Sequence, residues 1–83
     1  MSNPEPPDEA ARYANHFAIG YNLHEIVMDF GQSYAGDPTV RLHTRLVTAP
    51  AYARDFSEML RGVLDDYERS FGPIGPGAAN DSQ

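Results

Sequence analysis

Few side chains in this chain could do chemistry. Three histidines, His16, His24 and His43, one aspartate inside an apolar run, Asp29, and the arginines Arg41 and Arg45 are the groups that invite a site. A metal would need donors converging at about 2.0–2.3 Å. The spacing instead puts His24 at a loop tip and His16 on a different strand from His43, so neither a metal nor any other cofactor is expected. Asp29 beside His43 could act as a general acid–base pair. More often a cross-strand acid and histidine with two arginines on the diagonals is a charge-balanced sheet face or an interface. The chain is read in that second way, with no catalytic residue assigned. The run GPIGPG at 72–77 is no phosphate loop, because prolines stand where backbone N–H donors are required and no helix follows. Phe17, Tyr21 and Phe30 could stack bases on an open sheet, but they fall on the apolar face that a core needs.

Positioning these groups is the task of a small domain. The chain has 83 residues, 41% of them apolar, and a net charge of −6. That balance argues against coating nucleic acid or anionic membrane. All six basic residues are arginine. There is no cysteine, which excludes disulfides, thiolate metal sites and thiol catalysis. Residues 1–12 are expected to be a polar, proline-rich disordered arm and residues 73–83 a flexible tail, leaving a single domain over 13–72. About sixty residues make a marginal core on their own, and self-association is the usual remedy. No apolar run reaches the roughly twenty residues that cross a bilayer, and the start lacks a signal peptide's basic and apolar regions. A cytoplasmic location without membrane attachment is the expectation.

The stretch from Thr48 to Gly72 keeps the beat of a helix. Phe56, Met59, Leu60, Val63, Leu64, Tyr67 and Phe71 recur at three- and four-residue steps. Arg54, Asp55, Glu58, Arg61, Asp65, Glu68 and Arg69 fall mostly off that stripe. Thr48 is placed as the N-cap, Pro50 in the first turn, and Gly72-Pro73 as the stop.

Before the helix the beat changes to two, the period of strands. Strands are predicted over 13–21, 26–34 and 39–47. A four-residue loop at Asn22–Glu25 pairs Tyr21 with Ile26, Ile19 with Met28 and Phe17 with Phe30. A second turn with its tip at Ala35–Asp37 pairs Gln32 with Val40, Phe30 with Leu42, Met28 with Thr44 and Ile26 with Leu46. Both registers give one apolar inner face. The fold class is therefore α+β, a three-stranded antiparallel meander followed by one long C-terminal helix packed on one face. On the outer face these registers set Asp29 opposite His43, with Arg41 and Arg45 on the diagonals and Ala18 on its other side.

The first strand is the edge of this meander, and from Tyr13 to His24 there is no acid, lysine or arginine. Monomeric proteins protect such an edge. Edge pairing across a two-fold axis is expected, giving a six-stranded sheet with Ala14, His16, Phe17, Ala18, Ile19 and Gly20 at the dimer contact. The alternative is that the N-terminal arm folds back over the edge.

The order of motifs resembles a family of short prokaryotic domains of unknown function. The resembling pieces are Arg12-Tyr13-Ala14-Asn15 with Phe17, Glu25-Ile26-Val27-Met28-Asp29-Phe30, Arg45 leading to Pro50 and Ala53, and Tyr67-Glu68 with Phe71-Gly72 and Ile74. The resemblance implies a common small α+β fold and no known reaction, substrate or cofactor. The hairpin tip Asn22-Leu23-His24 departs from the Ser-Pro type of turn expected there.

The function expected from the sequence is a non-enzymatic protein-interaction or assembly module. It would act as a homodimer and offer Asp29, Arg41, His43 and Arg45 on its outer face to a protein partner. The alternative is a small nucleic-acid-binding regulator reading grooves with Arg41, Arg45 and His43.

Overall fold

The computed structural model describes residues 4–5 and 10–76. Most of the expected arm, and the end of the expected tail, lie outside the described residues. The elements run β1 (His16–Tyr21), β2 (Ile26–Ser33), β3 (Val40–Thr48) and α1 (Pro50–Phe71). The strands form one antiparallel sheet in the order β1-β2-β3. This is the α+β meander and C-terminal helix that the periodicities predict.

Side-chain chemistry makes both turns. In the first, Asn22 Oδ1 accepts hydrogen bonds from the backbone N–H groups of His24 (2.8 Å) and Glu25 (2.9 Å). Asn22 N–H donates to the Glu25 carbonyl at 3.0 Å. An Asx turn thus replaces the Ser-Pro tip. In the second, Asp37 N–H donates to the Tyr34 carbonyl, and Gly36 takes φ +83° at the third turn position, where a type II turn demands a positive φ. Asp37 Oδ1 then accepts from Thr39 N–H.

The β1–β2 register is the predicted one, with Phe17 opposite Phe30, Ile19 opposite Met28 and Tyr21 opposite Ile26. The β2–β3 register is not. Ile26 pairs with Thr48, Met28 with Leu46 and Phe30 with Thr44, and a bulge at Phe30/Gly31 then pairs Gly31 with Leu42 and Ser33 with Val40. Sterics explain the break. A Cβ on Gly31 would sit 2.5 Å from the Arg41 carbonyl oxygen and 2.9 Å from Leu42 Cδ2, so β3 can bend against β2 only where the side chain is a hydrogen. The bulge carries Leu42 and Val40 off the inner face. That face keeps Phe17, Ile19, Tyr21, Ile26, Met28, Phe30, Thr44, Leu46 and Thr48.

Thr48 is the last residue of β3 rather than a helix cap. Ala49 takes the N-cap position without a side-chain hydrogen bond, and Pro50 lies in the first turn. The stop is as predicted. Gly72, at φ +96°, donates its N–H to the Glu68 carbonyl at 2.8 Å. The Glu68 carboxylate turns back to accept from Ile74 N–H at 2.9 Å.

The helix lies on the inner-face side of the sheet without closing onto it. Ile19, Ile26 and Met28 of the sheet and Phe56, Leu60 and Leu64 of α1 line opposite walls of an open cleft of about 710 Å³. Among the described residues no apolar side chain is buried. The buried position is Gly31, inside the bulge.

Candidate functional site

Asp29 and Arg45 stand opposite one another on β2 and β3. Arg45 Nε donates to Asp29 Oδ1 at 2.7 Å and a terminal nitrogen donates to Oδ2 at 2.9 Å, the two-pronged geometry at which a guanidinium and a carboxylate match. Asp29 is largely enclosed, 14% exposed, while Arg45 is 68% exposed. The hydrogen bond from Arg45 holds the Asp29 carboxyl below the usual carboxylate range, against the opposing effect of burial and with the guanidinium charge adding to it.

His43 is not opposite Asp29. It is the residue that the bulge leaves unpaired on β3, and both of its ring nitrogens have partners. Nε2 lies 2.9 Å from the Tyr13 carbonyl and Nδ1 2.7 Å from Thr44 Oγ1. A carbonyl only accepts, so Nε2 carries the proton; in the neutral ring Nδ1 accepts from the Thr44 hydroxyl. A histidine held this way has no free nitrogen to act as a base. The geometry instead makes it a clasp, because Arg12 also reaches the His43 carbonyl. Arg41 pairs with Gln32 beyond the bulge, on the opposite side of the sheet from Arg45. The expected surface of Asp29, Arg41, His43 and Arg45 therefore divides. Asp29, His43 and Arg45 rim one shallow recess with Leu42 and Thr44, and Arg41 stands apart from it.

Sequence reasoning missed Asn15. Its side-chain amide donates to the Ser33 carbonyl at 3.0 Å and accepts from Ser33 N–H at 2.9 Å, extending the β1–β2 ladder with a side chain in place of backbone. Its own N–H donates to the Gly31 carbonyl. Together with His43, it leads residues 12–15 from β1 over β2 towards β3. Residues 12–15 thus run away from the β1 edge. The usable signal was an Asn just before a strand, a residue whose amide imitates a peptide group.

That edge is open along its length. All six residues of β1 are exposed. The Asn22–Glu25 pair is hydrogen bonded, and antiparallel alternation then sets Gly20 against Val27 and Ala18 against Asp29 as bonded pairs. The backbone groups of Phe17, Ile19 and Tyr21 point outward. Ala14 precedes the strand and is half-buried. The other histidines lie apart, His16 on β1 and His24 in the hairpin turn, and among the described residues no three His, Asp or Glu side chains are grouped to hold a metal ion. Among these residues no helix is long and apolar enough to cross a membrane.

The larger feature is the cleft and the helix above it. Exposed apolar residues run along both: Ile19 at 70%, Phe56 at 48%, Met59 at 70%, Val63 at 57%. Searches of curated proteins and of solved structures find no match. The model of one family, DUF3467, described as a protein of unknown function, matches residues 2–75, and the chain belongs to that family.

Proposed function

With family membership as the starting point, we propose that the chain is a non-enzymatic assembly module whose working unit is a homodimer in the cytoplasm. The observation that carries this reading is the open apolar surface. A helix stripe and a sheet face of matching character lie on the same side of the molecule, and neither buries a single described apolar side chain. Soluble monomers rarely expose contiguous apolar patches of more than a few hundred Å². A second copy of the chain is the cover always present in proportion to the chain itself. The recess at Asp29, His43 and Arg45 and the β1 residues Ala18 and Gly20 then remain available to a protein partner. Its groups hold one another, through the Asp29–Arg45 pair and the His43 clasp, which favours a binding surface over catalysis. The nucleic-acid reading loses its motivation, because Arg41 and Arg45 lie on opposite faces and Arg45 is already neutralised.

The test is chemical denaturation at several protein concentrations. A dimer without a stable folded monomer unfolds at a midpoint that rises with concentration. A midpoint independent of concentration over a hundredfold range would refute the reading.

A further inference from the structure

We propose that β1 pairs with β1 of a second copy, antiparallel about a two-fold axis at Ile19, so that Phe17 lies opposite Tyr21, Ile19 opposite its own copy and Ala18 opposite Gly20. This rests on the homodimer reading and names the contact that makes the dimer, down to its register.

The backbone sets which residues can pair. Ala18 and Gly20 turn their N–H and C=O groups to Asp29 and Val27 of β2, which leaves those of Phe17, Ile19 and Tyr21 pointing out of the sheet edge. An antiparallel neighbour bonds there only by setting residues of that same group against one another. Of the two-fold registers this permits, the one centred on Ile19 alone engages all three.

The same register sorts the side chains. On the inner face it sets Phe17 against Tyr21 and Ile19 against Ile19, residues that are 57%, 84% and 70% exposed in the single chain. On the outer face it sets Ala18 against Gly20, small against small. A strand that complements its own reverse on both faces points to its own copy as the occupant.

Charge agrees. The chain carries −6, yet no acid, lysine or arginine lies between Tyr13 and His24. Two copies of an acidic chain therefore approach along β1 without like charges meeting. The other sheet edge is guarded: β3 carries Arg41 and Arg45, and Arg12 and Tyr13 are hydrogen bonded to His43. Charged and covered edges resist pairing, so the sheet grows at β1 and stops at two copies.

The pairing also reaches the cleft. Its sheet wall is Ile19, Ile26 and Met28, with no residue of β3, so the cleft lies over the half of the sheet that meets the second copy. A partner strand beside β1 continues the cleft floor with its own Ile19 and Tyr21. The two-fold brings the Phe56, Leu60 and Leu64 rows of both helices over that shared floor, a burial that the single chain lacks.

Two measurements on the full chain test this. In hydrogen exchange, the amides of Phe17, Ile19 and Tyr21 are expected to be protected as strongly as those of Ala18 and Gly20, whereas an open edge leaves them at least tenfold faster. The second is disulfide linking. The chain has no cysteine, and a Cβ at Gly20 meets nothing within 4 Å. Ala18 opposite Gly20 is a pair without ladder bonds between them, about 4.5 Å between Cα atoms and within reach of a disulfide. The two copies of Ala18 lie on a diagonal of about 7–8 Å, beyond that reach. Ala18→Cys and Gly20→Cys refolded together and oxidised should therefore link at least tenfold more than either alone. Self-linking of Ala18→Cys as strong as that of the mixture would overturn the register. A dimeric mass with fast exchange at Phe17, Ile19 and Tyr21 would overturn the inference and leave the homodimer reading standing. A monomeric mass would overturn both.

Discussion

Asp29 and Arg45 are the best-matched pair of charges on the sheet, and their geometry determines how the molecule responds to acid. The two-pronged hydrogen bond lowers the Asp29 carboxyl below the ordinary carboxylate value, with partial enclosure working the other way. A group whose pKa is depressed on folding stabilises the fold above its unfolded value, roughly pH 4, and loses that contribution as pH falls through the folded value. Asp29→Asn keeps the shape and removes the charge. The denaturation midpoint of the variant should lie below that of the parent by a constant amount at neutral pH, and the two should converge as pH drops below about 4. An offset unchanged down to pH 2 would mean that the pair contributes nothing through its charge. Arg45 is well exposed, so the effect is expected to be small and reduced by salt. His43 behaves differently: its two ring contacts hold residues 12–15 to β3, a structural role that its position between two arginines in the sequence does not advertise.

At the scale of elements, Gly31 controls the relation of β2 to β3. Its missing side chain admits the Arg41 carbonyl and Leu42, and the bulge there turns Val40 and Leu42 to the face opposite Phe30. Gly31→Ala forces a backbone shift and should cost about 1–3 kcal/mol, the usual scale for overfilling a tight site, read as a lowered denaturation midpoint. An unchanged midpoint would mean that the sheet does not need the bulge. Strand existence, the first hairpin register and the helix with its Gly72 stop were all legible, because alternation, Asn22–Glu25 and Gly72-Pro73 each act locally. The second register was not, since an uninterrupted period of two run through β3 gives an equally apolar inner face. A glycine inside a strand is the one local sign of such a break, and Gly31 was that sign. Of the candidate surface, Asp29 and Arg45 were legible as neighbours, but their direct pairing was not. The division of Arg41 from Arg45 follows from the bulge alone.

At the scale of the whole molecule, the elements are in place and no described apolar side chain is buried. β1 to β3 and α1 form the predicted meander and helix, yet the cleft between them stays open and Gly31 is the buried position among the described residues. A fold of this size has little stability to spare, and an apolar cleft left to water contributes none of the burial that would offset chain entropy. The proposed second copy would supply that burial. Its most direct test is absolute mass by light scattering, from about micromolar to a hundred micromolar, in low and high salt. The account predicts twice the 9.2 kDa chain mass throughout, and a dimer that salt strengthens, since each chain carries a charge of −6 and the contact is apolar. A folded particle of 9.2 kDa at every concentration would contradict it.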